Sequence, residues 1–132
     1  MADSFYKGNL RYDYEHYHEK KHQGWVVGKF MTGVRQTDQV EVKFWKYKKG
    51  EHSGHPYKMQ KTAVECTFIL KGQVQAEIEG KKITLQTGDY VVIPPQTVNN
   101  LVLEIVEDVE GLTLKAPSDP TDKVVVSKAS AH

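Results

Sequence analysis

The sequence feature that most restricts the fold is a series of short β-type segments, which begins at Gly24 and continues to Lys115. The segments are rich in Val, Ile, Thr and aromatic residues, the types that strands favour. They are Trp25–Met31, Gln39–Tyr47, Thr62–Leu70, Gln73–Glu79, Lys82–Leu85, Tyr90–Ile93, Val98–Val106 and Gly111–Lys115. Turn signals such as Lys71-Gly72, Gly88-Asp89 and Pro94-Pro95 separate them. Many short strands at close spacing predict an all-β sandwich or barrel.

The length of 132 residues fits one domain. We expect a single domain over 1–132, with a barrel core at 24–115, an N-terminal arm at 1–23 and a C-terminal tail at 116–132. Within the arm, Tyr12–Lys21 has good helix formers but no apolar stripe, so it is predicted to be a turn, an extended arm or a short exposed helix. The tail is predicted to hold a final short strand at Lys123–Val126.

The charge balance argues against a nucleic-acid partner. The chain has 18 Lys and Arg residues against 17 Asp and Glu residues, a formal net charge of +1, which gives no broad electrostatic reason to bind DNA, RNA or an anionic membrane. We find no signal-peptide pattern and no apolar run of membrane-spanning length, and we expect no membrane partner. The only cysteine, Cys66, cannot form an internal disulfide, which is typical of a reducing compartment. We therefore expect a soluble, cytoplasmic protein.

Two segments carry a resemblance to a known family. Gly88 is followed by five residues and then Pro94, and Glu65 is followed by six residues and then Gly72. These spacings are similar to the two cupin motifs, G(X)5PXG(X)2H(X)3N and G(X)5HXH(X)3,4E(X)6G. The resemblance extends over 24–115 and points to small single-domain bacterial cupins. It implies a cupin-type jelly-roll β-barrel built around a pocket.

The resemblance also implies a metal site, but the ligand positions hold other residues. Asn99 stands where the second motif has its histidine. For the paired histidines of the first motif, one spacing gives Met59 and Lys61, and the other gives Lys58 and Gln60. Such groups bind first-row metals poorly, because imidazole is missing and an ammonium group competes for the carboxylate. We therefore expect no metal cofactor.

A cupin scaffold without its imidazoles is predicted to bind a small organic molecule in the barrel lumen. The predicted contacts are Glu65, Lys61, Met59, Gln60, Asn99, Tyr57 and Tyr90. Glu65 has two interpretations: a structural ion pair with Lys61, or a buried carboxylate that serves as a catalytic general acid or base. Asn99 is either a ligand contact or part of a turn. The sequence leaves open whether the protein is an enzyme.

Two enzymatic alternatives stay open. In the first, His52 or His55 joins Glu65 to hold a divalent transition metal in a dioxygenase, decarboxylase or isomerase. In the second, a metal-free isomerase or epimerase uses Glu65 to move a proton. The two histidines lie in a loop ahead of the first motif, where they either lean over the barrel mouth or face solvent. The spacing His16-x-His18-xxx-His22 resembles a zinc site but lacks a fourth ligand, so an exposed polar arm is expected.

The last prediction concerns a protein partner. Because cupins often pair through their sheets, we expect a homodimer. Alternation along Gln39–Tyr47 places Trp45 and Tyr47 on one face with Glu41 and Lys43. Exposed Trp45 and Tyr47, together with the N-terminal tyrosines, are predicted to lie at the dimer interface.

Overall fold

The computed structural model describes residues 4–17 and 22–127. In this part of the chain, one short α-helix, α1 at Leu10–Glu15, precedes eight strands, and a 3-10 turn at Gly33–Arg35 lies between the first two strands. They are β1 (Trp25–Val27), β2 (Glu41–Tyr47), β3 (Tyr57–Gln60), β4 (Val64–Ile78), β5 (Lys81–Gln86), β6 (Tyr90–Ile93), β7 (Asn99–Ala116) and β8 (Lys123–Val126). The predicted all-β architecture is confirmed. None of the helices in the described ranges has the length and apolar character needed to cross a membrane.

The long strands β4 and β7 organise the barrel. They pair antiparallel along their whole lengths, from Val64 opposite Ala116 to Ile78 opposite Asn99. The first half of β4 also pairs with β6 and its second half with β5. The last part of β7 pairs with β2, and its first residue pairs with β3. The sheet therefore folds over as two halves, β1-β2-β7-β4-β6 and β8-β3-β7-β4-β5, which share β4 and β7.

Both long strands bend where one half of the sheet passes into the other. The register of β4 against β7 shifts repeatedly between Ile69 and Glu77, as β-bulges produce. Gly72 lies in this stretch with φ of +93°. A Cβ atom at Gly72 would overlap the carbonyl oxygen of Asp108 on β7. Glycine is required here, since it combines a positive φ with a close backbone approach.

The hydrophobic core fills the space between the two halves. The buried cluster consists of Trp45, Ile69, Val74, Ala76, Leu85, Ile93, Leu101, Val102, Ile105 and Val109. Trp45 is only 8% exposed, because Gly111 opposite it on β7 has no side chain to displace the indole. Its Nε1 donates to Thr113 Oγ1 at 3.0 Å. The prediction that Trp45 lies exposed at an interface is therefore wrong.

The N-terminal arm packs against the outside of β2. The ring of Tyr14 lies edge-on to Phe44, with 5.7 Å between the centroids, and Phe44 is 1% exposed. Arg11 forms an ion pair of 2.6 Å with Glu110 on β7. Of the three forms predicted for Tyr12–Lys21, the described part shows the short helix, at Leu10–Glu15. Residues 18–21 of the predicted segment lie outside the described residues.

The predicted strands differ from the structure in several places. β1 ends at Val27, whereas the predicted segment continues to Met31. The segments Thr62–Leu70 and Gln73–Glu79 belong to one strand, β4. The segments Val98–Val106 and Gly111–Lys115 likewise belong to β7. β3 is missing from the predicted strands, because its lysine and glutamine residues lack the composition typical of a strand. The predicted strand at Lys123–Val126 is confirmed as β8.

Candidate functional site

The barrel interior contains a cavity of about 150 Å³ that adjoins the hydrophobic core. Side chains from both halves of the sheet and from the loop before β3 line it. The ionisable ones are Glu41, Lys43, His55, Lys58, Glu65, Lys115 and Lys123. The indoles of Trp25 and Trp45 form apolar walls. A concave interior site with convergent polar groups is the usual form of a small-molecule site.

A larger groove of about 330 Å³ lies outside the barrel, between α1 and the surface of β2 and β7. Two of its charged side chains already have partners, since Lys46 pairs with Glu15 and Glu110 pairs with Arg11. Each pair has at least one largely exposed partner, so solvent and salt screen its charge. The interior cavity is therefore the stronger candidate.

Strand register explains why ionisable residues meet in the cavity. Side chains alternate between the two faces of a strand, and residues paired in register share a face. Lys115 on β7 lies opposite Glu41 on β2 and opposite Glu65 on β4. The row therefore places Lys115 between two glutamates on the inner face, and over the described residues neither carboxylate forms an ion pair with it.

Lys58 and Glu65 form a buried ion pair. Lys58 Nζ lies 2.7 Å from Glu65 Oε1, and the two side chains are 11% and 2% exposed. Nζ also donates to Asn99 Oδ1 at 3.3 Å. Burial lowers the pKa of Lys58, while the charge and hydrogen bond of Glu65 act in the opposite direction. Three motif positions thus hold an ammonium, a carboxylate and an amide that bond to one another.

Lys43 has a different environment. It lies in register between Trp25 on β1 and Thr113 on β7. Its Nζ is 5.3 Å from the centroid of the Trp25 ring, a cation–π distance. Among the residues that the structure describes, no carboxylate forms an ion pair with Lys43. Burial, followed by the charges of Lys115 and Lys123, lowers the pKa of Lys43.

His55 lies at the mouth of the cavity, with one side exposed to solvent. Its Nε2 shares a hydrogen bond of 2.8 Å with the hydroxyl of Tyr47. Its carbonyl oxygen accepts from Asn100 Nδ2 at 3.0 Å. Burial, followed by the charges of the four cavity lysines, lowers the pKa of His55. His52 lines a separate surface pocket instead.

The residues at the motif positions do not fit a transition-metal ion. Glu65 is the one carboxylate among them, and the ammonium group of Lys58 already lies against it. Ammonium and amide groups cannot replace imidazole as ligands of such ions. Over 4–17 and 22–127, no group of three or more His, Cys, Asp or Glu side chains is placed to hold a metal ion.

The zinc-like spacing in the N-terminal arm is only partly described by the structure. His16 Nδ1 donates to the carbonyl oxygen of Tyr12 at 2.8 Å. His22 stacks against Phe30, with 5.8 Å between the ring centroids. His18 lies outside the described residues. The two described histidines therefore have separate local partners.

β3 places Lys58, not Lys61, in the cavity. Lys58 and Gln60 share one face of β3, and Tyr57 and Met59 lie on the other face. Lys61 follows the strand, is exposed, and bonds through its backbone N–H to the turn before β8. Lys58 is the one residue of this stretch that lines the cavity. The other predicted contacts of this stretch, Lys61, Met59, Gln60 and Tyr57, do not line this cavity.

Of the two remaining predicted contacts, Asn99 is buried inside the barrel and Tyr90 is exposed on its outer surface. Asn99 is 1% exposed at the start of β7. Its Nδ2 donates to the carbonyl oxygen of Thr97 at 3.0 Å, so its Oδ1 is oriented toward Lys58. Tyr90 is 65% exposed and lies against Phe68 on the outer surface. Tyr90 faces outward because Ile93, on the opposite face of β6, belongs to the core.

Sequence reasoning missed four ionisable residues of the cavity, which are Glu41, Lys43, Lys115 and Lys123. Alternation along β2 puts Glu41 and Lys43 on the same face as Trp45. That signal would have placed both of them inside, had Trp45 been assigned to the core. Lys123 arrives with β8, whose position beside β3 has no local sequence signal.

The fold is similar to several solved structures. A conserved protein with a double-stranded β-helix domain from Klebsiella pneumoniae matches with a TM-score of 0.63 and 15% identity, over 79% of this chain and 82% of that one. A variant of PAC13 from Streptomyces with uridine matches with a TM-score of 0.58 and 14% identity, over 69% and 70%. At these identities the likeness shows the fold alone.

A third match is a protein described as a sugar phosphate isomerase from Acidithiobacillus ferrooxidans. Its TM-score is 0.53 and its identity 16%, over 59% of this chain and 50% of that chain. This chain therefore spans about half the length of the isomerase. A comparison with curated protein sequences gives no match.

A family model matches residues 43–109, about half of the chain, and is described as a cupin domain. The match includes both segments that resemble the cupin motifs. Gln96 stands where the second motif has a glycine, and its φ is +63°. The backbone therefore keeps the left-handed conformation for which glycine is suited, although the side chain has changed. The chain belongs to the cupin family.

Proposed function

We propose that this cupin binds a small organic anion in its barrel cavity, with no transition-metal ion at the motif positions. The observation that carries the proposal is the charge of the cavity lining. Four lysines line it against two carboxylates. The lysines are Lys43, Lys58, Lys115 and Lys123, and the carboxylates are Glu41 and Glu65. A bound anion would balance the excess positive charge.

The two carboxylates leave part of the lysine cluster without a counter-charge. Glu65 is engaged by Lys58. Glu41 Oε1 accepts a hydrogen bond from Ser118 Oγ at 3.1 Å. In the described part of the chain, neither carboxylate forms an ion pair with Lys43 or Lys123. Like charges gathered in a partly buried cavity attract an anion more strongly than they would in open water.

The size of the cavity limits the ligand. An apolar protein cavity of about 150 Å³ holds a molecule of the size of benzene. The cavity of this protein has about the same volume. The indoles of Trp25 and Trp45 offer apolar surface to a short carbon skeleton. A carboxylate or phosphate on such a skeleton is the class of ligand that fits both charge and size.

The structural neighbours support an organic ligand. One of them is described as a sugar phosphate isomerase and another contains uridine. Those names concern the neighbours, and the lysine cluster adds the preference for an anion in this chain. A role of Glu65 in proton transfer stays a prediction, since its contact with Lys58 also suits a structural ion pair.

Titration calorimetry with glycerol, glycerate and glycerol 3-phosphate tests the proposal. We expect glycerate or glycerol 3-phosphate to bind and glycerol not to bind, with affinity falling as salt is added. The carboxylate and phosphate arms distinguish the two anion types. Lys115→Gln should weaken binding by about tenfold or more, equivalent to about 1.4 kcal/mol. The matched control Lys81→Gln, on the exposed strand β5, should bind as the wild type does.

Binding of glycerol as tight as that of the anions would contradict the proposal, as would a loss in Lys81→Gln equal to that in Lys115→Gln. Elemental analysis of freshly purified protein tests the metal-free part. We expect much less than one Fe, Mn, Ni or Zn per chain. Near-stoichiometric metal that disappears in His55→Ala or His52→Ala would favour the metal-dependent alternative instead.

We also propose that the protein forms a homodimer through the outer face of β4 and β6. Large apolar residues are exposed on that face, namely Val64, Phe68 and Leu70 on β4 and Tyr90 and Val92 on β6. Phe68 lies opposite Tyr90 in the sheet register, so the exposed residues form one patch. Contiguous exposed apolar surface is typical of a protein interface. One patch on two copies is sufficient for a two-fold symmetric contact.

A further inference from the structure

Lys43 differs chemically from the other lysines of the cavity. Lys58 is held by Glu65 at 2.7 Å. Lys115 lies in register between two carboxylates. Lys123 is exposed at the rim. Lys43 is partly buried, and its two register neighbours, Trp25 and Thr113, carry no charge.

This environment makes the ammonium group of Lys43 easier to deprotonate than that of an exposed lysine. Burial and the charges of Lys115 and Lys123 lower the pKa of its ammonium group. The Trp25 ring, 5.3 Å away, covers it on one side. A lysine that is desolvated beside other cations is a nucleophile, and such lysines form imines with carbonyl compounds.

We infer that Lys43 forms a reversible imine with the carbonyl carbon of a small 2-oxo acid held in the cavity. The inference rests on the proposed anion binding, because the ammonium groups of Lys115 and Lys123 would hold the carboxylate of the acid. The carbonyl next to that carboxylate would then lie in the same cavity as Lys43 Nζ. A 2-oxo acid with a short skeleton also meets the size limit of the cavity.

The reaction is balanced without a further reagent. The Nζ lone pair attacks the carbonyl carbon and forms a C–N bond, while the π electrons of the C=O bond move to oxygen, which takes up a proton. That proton comes from the attacking nitrogen. The carbinolamine then loses its hydroxyl group together with the second amine proton as water, and the nitrogen lone pair forms the C=N bond. One amine and one carbonyl give one imine and one water, and nothing is oxidised or reduced.

Trapping with borohydride tests the inference. The protein is incubated with pyruvate and sodium borohydride, and the product is analysed by intact mass and peptide mapping. We expect one adduct per chain, with the mass of pyruvic acid less one oxygen atom, at Lys43. Lactate, which has a hydroxyl in place of the keto group, should give none. Lys43→Arg should lose at least nine-tenths of the adduct, and the control Lys81→Arg should keep it.

Adducts spread evenly over exposed lysines, or an unchanged yield in Lys43→Arg, would overturn the inference. Mapping on the wild-type protein gives an answer even if the variant fails to fold. Calorimetry of the wild type with glycerate separates the two proposals. If glycerate binds and Lys43 gives no adduct, the inference fails and anion binding stands. If neither is observed, both fail.

Discussion

Lys58 and Glu65 each depend on the other for a counter-charge, because both side chains are buried. Removing one partner of such a pair leaves an isolated ion in a poorly solvated place, at a cost of about 3–5 kcal/mol. We expect Lys58→Met to lower the free energy of unfolding by about that amount, as measured by urea denaturation. Adding Glu65→Leu to the same chain should recover most of the loss, since the buried charge is then gone.

The matched control is Lys61→Met, three positions along the chain and exposed. A surface change of this kind is expected to alter the free energy of unfolding by no more than about 0.5 kcal/mol. If Lys58→Met and Lys61→Met lower the free energy of unfolding equally, loss of the ion pair has no cost of its own.

His55 gives the stability a dependence on acidic pH. Its folded-state pKa lies below the ordinary value of 6.5, because of burial and then of the lysine charges around it. The unfolded chain therefore binds more protons than the folded one as the pH falls through 6.5, and the free energy of unfolding decreases. His55→Gln should flatten this decrease between about pH 7 and pH 5, measured by urea denaturation at each pH. His52→Gln, at the surface, should show the same decrease of the free energy of unfolding with falling pH as the wild type. A decrease that persists in His55→Gln would mean that another group causes it.

At the scale of residues, the sequence predicted a role for Glu65 but gave it the wrong partner. The first motif allows three or four residues before the glutamate, so its two versions differ by one position. A shift of one position moves a side chain to the other face of a strand. Only the pairing of β3 with β8 decides that Lys58 faces the cavity and that Lys61 does not.

At the scale of elements, two glycines test the bend in β4. Gly72 and Gly88 have φ of +93° and +92°, so alanine suffers similar backbone strain at both, about 1–2 kcal/mol. A Cβ at Gly72 would overlap the carbonyl of Asp108, whereas a Cβ at Gly88 meets nothing within 4 Å. Gly72→Ala should therefore lower the free energy of unfolding by about 2 kcal/mol more than Gly88→Ala, in urea denaturation. Equal losses would show that β4 and β7 separate at the bend without cost.

The same glycine explains why the strand boundaries were only partly predictable. Lys71-Gly72 is a turn signal, and Gly72 does adopt the positive φ that a turn needs. In this chain the glycine bends one long strand instead of joining two. Both structures need the same residue type, so the local sequence could not separate them. The aliphatic and aromatic strands on either side were predictable, because composition and alternation define them.

At the scale of the whole molecule, the proposed dimer can be tested by sedimentation velocity. Phe68→Lys places a charge in the exposed apolar patch of β4 and β6 and should convert the dimer to a monomer. Val125→Lys is the control, because Val125 is also apolar and exposed but lies on β8. It should remain a dimer. A wild-type protein that sediments as a monomer at every concentration would refute the proposal.

The barrel itself was predictable, because many short strands and two motif spacings point to one architecture. Which apolar residues would be exposed could not be predicted from the sequence. Trp45 and Tyr47 look like surface aromatics in the sequence, yet β2 turns them inward, where Trp45 joins the core. Tyr90 is predicted as a contact in the lumen, yet it lies with Phe68 on the outer surface. Which face of a strand is covered depends on the strands that lie against it, and this is a property of the complete fold.

Because both halves of the sheet contain β4 and β7, local unfolding is restricted to the strands at the ends of the sheet. Since both halves of the sheet are built on the same two strands, neither half can detach while the other stays intact. Amide protons of β4 and β7 should exchange with solvent only when the entire chain unfolds, whereas those of the outermost strands β1 and β8 should exchange through local fraying. Fraying of β1 and β8 would therefore admit a ligand to the cavity while β4 and β7 stay paired.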